Sequence, residues 1–307
     1  MSNLKLTILG NGSAVPTSFS NPSSQLLNYK GKQFMIDCGE GTQMQMIRFK
    51  IKHRNLNYIF ISHLHGDHFY GLIGLLSTFH LYGREKPLII FAPEGLGNVI
   101  KTQLEVSKTV LKYDLQIKVL GNVNNELLLD DEDFQIHAFE LKHSVPSWGF
   151  VFREKLKQRK IKKEFIVDKE LNVEQIISIK KGNDFIDNTG KIHSNSLITN
   201  PPPESLSYAY CSDTAYYENI LEYIEGVTYL YHEATFDKTM EKVAIERKHS
   251  TAEHAAMIAK KANVKKLLLG HFSARFSNPG VLLEEAKEIF PNTILSREGQ
   301  TYFIRET

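Results

Sequence analysis

Cysteine is scarce in this sequence of 307 residues. Cys38 and Cys211 are its two cysteines, and neither lies in a CxxC pattern, so neither a disulfide framework nor a thiolate zinc finger is supported. Long apolar runs are also missing, since no stretch approaches the roughly 18 to 20 apolar residues of a membrane helix. The N-terminal apolar run ends at Gly10, too early for the core of a signal peptide. We therefore expect a soluble, cytoplasmic protein that makes no contact with a membrane.

A strong excess of one charge is absent as well. The 37 basic and 35 acidic residues give a net charge of +2, so the chain as a whole is no polycation. The segment REKLKQRKIKKE, residues 153–164, is the exception, with seven Lys or Arg against two Glu. Such dense like charge predicts either an exposed segment that meets a polyanion or a solvated helix face.

Apolar residues are plentiful enough for a sizeable core, at 42% of the chain. Short apolar or β-branched runs predict strands at 4–9, 24–29, 33–36, 58–61, 88–91, 135–141, 149–152, 206–211, 229–232, 266–269 and 301–304. Helical spacing predicts helices after Gly41 and at 71–81, 96–109, 217–224, 251–261 and 279–290. Strands with helices distributed among them predict a layered α/β protein.

One segment departs from this pattern. From about residue 153 to residue 203 the composition turns basic and then polar, with a tight turn predicted at 187–190 and three prolines at 201–203. The sequence therefore predicts a single domain, 1–307, with a flexible inserted arm at 153–203 that projects from the core.

The stretch FISHLHGDHFYGL, residues 60–72, concentrates ligand-capable side chains after an apolar strand. His63 and His65 lie two apart and point the same way in extended chain, and Asp67 and His68 follow in a predicted turn at Gly66. Imidazoles and a carboxylate are suitable zinc ligands, although a chance cluster in a polar loop is the alternative.

Three more ligand-capable residues follow predicted strands, namely His143, Asp213 and His271. Each alone is a weak signal, because a single histidine after a strand is more often an ordinary polar residue. Together with the first cluster they give seven ligands, enough for two metals that share a carboxylate and lie about 3.5–4 Å apart.

The pattern H-x-H-x-D-H with a distant His, Asp and His resembles the metallo-β-lactamase superfamily, and within it the chain resembles the ribonuclease Z family. The resemblance rests on LTILGNGSAVPT (6–17), IDCGEGTQMQM (36–46), SHLHGDHFYGLIGLL (62–76), HSVPSWGF (143–150), SDT (212–214), HEATF (232–236), HST (249–251) and GHFSARF (270–276). It implies a four-layer αβ/βα sandwich. It also implies a zinc-dependent endoribonuclease that removes the 3′ trailer from precursor tRNA, leaving a 3′-hydroxyl on the tRNA and a 5′-phosphate on the trailer.

The resemblance also assigns roles to individual residues. It implies two Zn²⁺ ions per subunit, with a water or hydroxide between them as the nucleophile. The ligands would be His63, His65 and His143 for the first ion, Asp67, His68 and His271 for the second, and Asp213 as the bridge.

Further residues take part in catalysis and binding by the same resemblance. Asp67 would also accept a proton and orient the water, and His249 would protonate the departing 3′ oxygen. The place of His249 at a helix N-terminus predicts a somewhat lowered pKa, so Glu233 is expected as its partner. Ser273 and Arg275 would contact a phosphate, although a surface salt bridge is the alternative for Arg275. Two other polar residues, Asp37 and His232, are expected to fix the orientation of ligands.

In this family a flexible arm grips the elbow of the tRNA, and the basic insertion occupies the corresponding place. The basic residues expected to contact phosphates are Lys155, Lys157, Arg159, Lys160, Lys162 and Lys163. Many bacterial members carry a Gly-Pro dipeptide at the tip of this arm, and none lies between residues 153 and 200. Members are commonly homodimers, and no other protein partner is implied.

Two other functions remain open at this point. The same metals would serve a small-molecule phosphodiesterase or a thioester or lactam hydrolase, but small substrates require no basic arm of this size. A catalytically silent RNA-binding module is the second alternative, and it would be expected to have lost several of the seven ligands.

Overall fold

The computed structural model describes residues 4–121, 125–202 and 204–305. It divides into two compact units, the first formed by Met1–Arg153 with Leu206–Thr307 and the second by Glu154–Ser205. Pro203, where the inserted arm was expected to end, lies outside the described residues.

The first unit contains two large β-sheets. Its strands are β1 (Leu4–Gly10), β2 (Ser24–Tyr29), β3 (Lys32–Cys38), β4 (Leu56–Phe60), β5 (Leu88–Ala92), β6 (Leu115–Val119), β7 (Glu126–Asp130), β8 (Phe134–Leu141) and β9 (Ser147–Glu154, which runs one residue into the second unit). After the second unit follow β14 (Ser207–Cys211), β15 (Tyr229–Glu233), β16 (Lys266–Gly270), β17 (Thr293–Leu295) and β18 (Thr301–Phe303).

Helices of this unit follow many of the strands. They are α1 (Thr42–Arg48), α2 (Gly66–Phe69), α3 (Leu72–Leu81), α4 (Leu96–Val106), α8 (Leu221–Ile224), α9 (Glu241–Arg247), α10 (Ala252–Lys261) and α11 (Gly280–Ile289).

The second unit is built from short elements. They are β10 (Lys160–Ile161), α5 (Lys163–Lys169), α6 (Val173–Lys180), β11 (Phe185–Ile186), β12 (Ile192–His193), α7 (Asn195–Ile198) and β13 (Thr199–Asn200). A small apolar core that includes Ile161, Ile179, Phe185 and Ile198 holds it together. The turn expected at 187–190 is present, because Gly190 N donates to Asp187 O at 2.9 Å and joins β11 to β12.

Each large sheet has seven strands in the described residues, in the orders β18-β1-β2-β3-β4-β5-β6 and β17-β16-β15-β14-β9-β8-β7. In the first sheet β3 to β6 run parallel, and in the second β14 to β17 do. Both sheets also contain antiparallel pairs, β1 with β2 and β9 with β14 among them. The carboxyl ends of neighbouring parallel strands lie at one edge of each sheet, where α/β proteins bind ligands.

The two sheets face each other across an aromatic core. The rings of Phe34 and Phe152 lie 5.9 Å apart and those of Phe60 and Phe150 lie 5.4 Å apart, each pair joining one sheet to the other. Because side chains alternate along a strand, the opposite face of each sheet packs against helices. Residues of α1, α3 and α4 cover the first sheet, and residues of α10 and α11 cover the second. The order helix, sheet, sheet, helix confirms the predicted α/β sandwich.

The sequence missed several elements for physical reasons. Strands β6 and β7 are the outermost strands of their sheets and carry exposed residues, so their apolar pattern is weak. Helix α9 was also not expected, since it buries only Ala244. Asp67 and His68 lie in the short helix α2 and not in a simple turn. In the described ranges, no helix combines the length and the apolar content needed to span a bilayer.

The contribution of the core between the sheets can be tested with two leucines. Leu268 in β16 is fully buried, whereas Leu81 at the end of α3 is 77% exposed. We expect Leu268→Ala to lower the free energy of unfolding by about 2–5 kcal/mol, because it removes buried methyl groups and leaves a cavity. Leu81→Ala should change it by less than about 0.5 kcal/mol. Urea unfolding followed by circular dichroism measures both changes, and equal losses would contradict this description of the core.

Candidate metal centre

The candidate site lies where strands of both sheets end. In the first sheet Asp37 is the last residue but one of β3, and His63 lies in the loop that follows β4. In the second sheet His143 follows β8, Asp213 follows β14 and His271 follows β16. The edge of the sandwich therefore collects polar side chains from segments far apart in the sequence.

Four ligand-capable atoms form the first group, from His63, His65, His143 and Asp213. The Nδ1 atom of His65 lies 3.1 Å from His63 Nε2 and 3.2 Å from His143 Nε2. The Oδ2 atom of Asp213 lies 3.6 Å from the Nε2 atoms of both His63 and His143. The four atoms thus surround one point.

Asp67, His68 and His271 form the second group. The Oδ2 atom of Asp67 lies 3.5 Å from His68 Nε2 and 3.6 Å from His271 Nε2. The other carboxylate oxygen of Asp213, Oδ1, lies 3.2 Å from His68 Nε2 and 3.1 Å from His271 Nε2. Asp213 therefore presents one oxygen to each group.

The geometry fits metal ions. Ligand bonds of about 2.0–2.1 Å in a tetrahedron place neighbouring ligand atoms about 3.3 Å apart, close to the separations in both groups. Among the described residues, the buried Nε2 atoms of His68 and His271 have no hydrogen-bond partner. A metal site requires buried polar atoms that converge and are free of hydrogen bonds. The residues of the two groups therefore form a site for a divalent metal.

The charges of the cluster favour a cation. Burial raises the pKa of Asp213, but His271, His68 and His63 outweigh it and hold that pKa well below its usual value. Burial lowers the pKa of His68, but the carboxylates of Asp213, Asp37 and Asp67 outweigh it and raise that pKa. A site that stabilises positive charge on an imidazole also attracts a metal cation, which displaces the proton on binding.

Three residues of the site have left-handed backbone conformations. The φ angles are 57° at Asp37, 60° at Asp213 and 56° at His271. Residues other than glycine rarely adopt such angles, and they concentrate at functional sites. Here each one lies at or just after the end of a strand, where it turns a side chain into the cluster.

Asp37 fixes the orientation of His68 from behind. Its Oδ2 atom lies 2.7 Å from His68 Nδ1 and accepts a hydrogen bond of 2.6 Å from Tyr210 Oη. Its Oδ1 atom accepts a hydrogen bond of 2.7 Å from Ser62 N. Asp37 is fully buried, so these contacts leave His68 with its Nε2 atom aimed into the cluster.

Other ligands are held in the same manner. His143 Nδ1 donates to Lys248 O at 3.0 Å, and Lys248 Nζ donates back to His143 O at 3.1 Å. His271 Nδ1 lies 2.9 Å from Thr235 Oγ1. By contrast, His232 is fully buried outside the cluster, with its Nδ1 atom bonded to the backbone oxygen of Glu233 at 2.8 Å.

Glu233 contacts His249 and fixes the orientation of its imidazole. Its carboxylate oxygens lie 3.0 and 3.1 Å from His249 Nδ1, and the carboxylate also accepts from Thr214 N at 2.6 Å, Ser250 N at 3.0 Å and Thr235 Oγ1 at 2.6 Å. His249 in turn has a nitrogen near Asp213 and His271, so it lies at the edge of the cluster.

The pKa of His249 is raised and not lowered, and the expected partner Glu233 is in contact with it. Burial does lower it, but the Glu233 carboxylate outweighs burial and raises the pKa to about 9. The residue that caps α10 is Thr251, two positions further along, whose side chain accepts from His254 N at 3.2 Å. Contact with a buried carboxylate therefore decides the charge of His249.

A cavity of about 250 Å³ opens beside His249. Ser273 and Arg275 line it, as does Arg247, which the sequence analysis did not single out. The guanidinium of Arg275 lies over the ring of Phe236 at 5.9 Å from its centre. Two guanidinium groups beside an ionisable histidine favour a phosphate ligand. Arg247 lies two residues before the HST segment. This proximity to His249 was the one feature of the sequence that could have identified Arg247 as a residue of the site.

Asp67 has a further contact that the sequence did not predict. Ala14 N donates to Asp67 Oδ2 at 2.9 Å. Ala14 has a φ of 61° in the loop after β1, so its amide direction depends on that loop and not on a local motif.

The six basic residues expected to contact phosphates all belong to the second unit.

Curated relatives match the chain almost from end to end. A protein named Ribonuclease Z from Parabacteroides distasonis is 42% identical over 299 residues, which are 97% of this chain and 98% of that protein. Another of that name, from Bacteroides thetaiotaomicron, is 43% identical over 97% of this chain and 95% of its own length.

The chain belongs to the ribonuclease Z family. The crystal structure of human tRNase Z, short form, superposes with a TM-score of 0.71 at 28% identity, covering 98% of this chain and 100% of that one. The metallo-beta-lactamase fold protein YhfI from Bacillus subtilis gives a TM-score of 0.68 at 18% identity, covering 98% and 99%. The metallo-β-lactamase sandwich expected from the sequence is therefore confirmed.

A family model covers part of the chain. The model described as Anti-Pycsar protein Apyc1 matches residues 4–186, and the chain belongs to that sequence family as well. The matched segment contains the HLHGDH cluster and His143, but it ends before Asp213, His249 and His271.

The contacts of Asp37 generate a prediction about metal affinity. We expect Asp37→Asn to weaken metal binding by about 10- to 100-fold, because the amide no longer accepts from His68, Ser62 and Tyr210 in the same way. Competition with a chromophoric chelator measures the affinity. Asp168→Asn, with a side chain 68% exposed in the second unit, is the matched control and should leave it unchanged. Equal affinity of Asp37→Asn and wild type would show that these hydrogen bonds do not position His68.

Proposed function

We propose that the protein is a zinc-dependent endoribonuclease that removes the 3′ trailer from precursor tRNA, leaving a 3′-hydroxyl on the tRNA and a 5′-phosphate on the trailer. The observation that carries this proposal is the Asp213 carboxylate, which faces two groups of ligands, with His249 beside it. Near full-length relatives named Ribonuclease Z and the likeness to human tRNase Z support precursor tRNA as the substrate.

Two zinc ions suit the residues of the cluster. The proposed ligands are His63, His65 and His143 for one ion, Asp67, His68 and His271 for the other, and Asp213 for both. Histidine nitrogens and carboxylate oxygens at these separations suit zinc, although manganese, iron and cobalt accept similar ligands. When bound, the ions would lower the pKa of a water molecule and neutralise charge on the phosphate.

The residues of the chain then handle the protons. Asp67 is the proposed acceptor that orients the attacking water, because its contacts with histidines keep it ionised despite burial. Burial raises its pKa, but the charge of His68 and the close approach of the His271 and His68 imidazoles outweigh burial and hold the pKa well below its usual value. The hydrogen bond from Ala14 N fixes the carboxylate, so its free lone pairs keep one direction.

His249 is the proposed general acid for the departing 3′ oxygen. The raised pKa keeps its imidazole protonated near neutral pH, and the contact with Glu233 holds Nδ1, so Nε2 faces the cavity. Glu233 is a positioning residue in this scheme, since it is fully buried and acts through His249. Ser273 and Arg275 line the same cavity and are proposed to bind a phosphate of the substrate.

The inserted arm, residues 153–203, is proposed to bind the tRNA away from the cut. Its six basic residues differ in their contacts: Lys160, Lys162 and Lys163 are exposed, whereas Lys157 pairs with Glu154 at 2.7 Å. Lys155 is half-buried, and Arg159 Nε donates to Thr199 Oγ1 at 2.7 Å. We therefore assign phosphate contacts chiefly to the exposed lysines, which bind RNA without reading its sequence.

A homodimer and a cytoplasmic location complete the proposal. Met44 and Ile47 lie three residues apart on α1 and are 65% and 57% exposed, so one face of this helix is apolar and suits a second copy of the chain. The cytoplasmic location follows from the proposed substrate, which is a product of transcription.

A small-molecule phosphodiesterase is the second candidate. It stays open because residues 4–186 match the Apyc1 family model, so this part of the chain is shared with a protein other than ribonuclease Z. The same metal cluster would serve both reactions, so the substrate and not the metal chemistry separates the two candidates.

The first test is cleavage of a labelled precursor tRNA by the zinc-loaded protein, with product ends mapped to the nucleotide. We expect the wild type to cut just 3′ of the discriminator base and Asp67→Ala to lose this activity, because the variant lacks both a ligand and the proton acceptor. A variant with residues 156–204 replaced by a short glycine linker should cut the tRNA at least tenfold more slowly. Ser205 Oγ donates to Lys155 O at 3.2 Å, so the ends of the deleted segment are close enough to be joined.

The outcomes of this test separate the candidates. Bis(p-nitrophenyl) phosphate serves as the control substrate, and the arm deletion should leave its hydrolysis unchanged. If the wild type spares precursor tRNA but hydrolyses this small diester, the small-molecule candidate is correct.

His249→Ala provides a test of the proposed general acid. We expect cleavage of precursor tRNA to fall by about 10²- to 10⁴-fold, because the 3′ oxygen of ribose leaves poorly without a proton. Hydrolysis of bis(p-nitrophenyl) phosphate should change far less, since p-nitrophenolate leaves without protonation. Single-turnover rates on the two substrates measure the difference. Equal losses on both would argue that His249 supports the metal cluster and is not the acid.

A further inference from the structure

A second cavity adjoins the one beside His249, and the two share lining residues. Its volume is about 330 Å³, within the range of about 300–1,000 Å³ that is usual for small-ligand sites. Three loops of the first unit enclose it, at residues 11–20, 272–279 and 296–298. The assignments proposed so far use none of its side chains except Ser273.

We propose that this cavity binds the first nucleotide of the 3′ trailer, with its base stacked on Phe19. This inference rests on the proposed function, because it concerns the part of precursor tRNA that is released. It goes further in naming a binding site for the trailer.

Hydrogen bonds between the loops preform the cavity. Asn11 Nδ2 donates to Ser296 O and Oγ, both at 2.9 Å. Ser13 N donates to Phe272 O at 3.0 Å, and Phe272 N donates to Asn11 O at 2.9 Å. The three loops are therefore tied to one another and to the segment that carries His271, so little ordering is needed when a ligand enters.

The place of the cavity relative to the reacting bonds suggests which nucleotide it takes. Ser13 and Ser273 line both this cavity and the cavity beside His249, so the two are neighbours across one wall. His249 is the proposed proton donor to the leaving 3′ oxygen, which belongs to the last nucleotide of the mature tRNA. That nucleotide therefore lies on the His249 side of the wall.

The first trailer nucleotide extends from the phosphorus atom in another direction and stays bonded to it. It is attached through its 5′ oxygen, which neither attacks nor departs in the reaction, because water attacks phosphorus and the bond to the 3′ oxygen breaks. The neighbouring cavity, which shares lining residues with the one beside His249, is therefore assigned to it.

The side chains of the cavity match the chemistry of a nucleotide. Phe19 is 61% exposed, although a large aromatic side chain normally buries more of its surface. Arg297 also lines the cavity and is exposed, so a positive charge is available for a phosphate. A cavity that offers both an exposed aromatic ring and a guanidinium group is typical of sites that stack single-stranded bases without selecting their identity.

Glu298 lines the same cavity and stabilises the loop that carries Phe19. Its carboxylate accepts from Asn21 Nδ2 at 2.9 Å and from Gln45 Nε2 at 2.7 Å, and Asn21 N donates to it as well. Burial is the main cause that raises the pKa of Glu298. These bonds tie the loop that carries Phe19 to α1 and occupy the carboxylate with donors from the protein itself.

The test is a double-mutant cycle that combines a change in the protein with a change in the substrate. Wild type and Phe19→Ala are each given a precursor tRNA with an intact first trailer nucleotide and one that is abasic at this position. We expect the wild type to lose about 5- to 100-fold in kcat/KM on the abasic substrate, as for the loss of one stacked base. Phe19→Ala should show a similar loss on the intact substrate and less than about a twofold further loss on the abasic one.

Two controls restrict the interpretation. Phe303→Ala, a half-exposed phenylalanine in β18, should cut both substrates like the wild type. A tRNA abasic at its last mature nucleotide should show losses that simply multiply with those of Phe19→Ala.

The inference is overturned if Phe19→Ala cuts the intact substrate as fast as the wild type does. It is also overturned if its effect couples to the last mature nucleotide instead. A wild type that spares every precursor tRNA would overturn the proposed function and this assignment with it. Normal cleavage without coupling would overturn the trailer site alone.

Discussion

The arrangement of the site depends on one carboxylate that faces two groups of histidines. Asp213 presents Oδ2 to His63 and His143 and Oδ1 to His68 and His271, at 3.1–3.6 Å. A single buried carboxylate in this position fixes the separation of the two groups, and with it the place where a bridged phosphate can lie. The parallel strands of the second sheet place Asp213 and His271 at the same edge. The geometry of the site therefore depends on the topology of the sandwich.

Glu233 joins the metal cluster to the proposed acid. It is buried at the end of β15 and contacts His249 directly, while Thr235 connects it to His271. The proposed ligand His271 and the proposed acid His249 are therefore linked through one hydroxyl and one carboxylate. The charge of Glu233 and its hydrogen bond to His249 outweigh burial, which alone would lower the pKa of His249.

Much of the site could be predicted because its residues follow local rules. HLHGDH supplies four side chains within six positions, and His143, Asp213 and His271 each follow an apolar strand. The contacts that set charge and direction could not be predicted in this way. The amide of Ala14 reaches Asp67 over 53 positions and Asp37 reaches His68 over 31, and both depend on how the loops and strands pack. The cavity that Phe19 lines has the same origin, since three loops distant in sequence enclose it.

The left-handed backbones at Asp37, Asp213 and His271 connect the stability of the fold to its function. Each such conformation costs of order 1–3 kcal/mol and persists only where surrounding contacts over-determine it. The hydrogen bonds of Asp37 to Ser62 and Tyr210 do so for the first of them. Thr235 Oγ1 donates to His271 O at 3.0 Å, and Ser212 Oγ donates to Asp213 Oδ1 at 3.1 Å. A cation bound by the cluster would constrain both residues further. Metal binding would therefore offset part of the strain at the ends of these strands and stabilise the folded state.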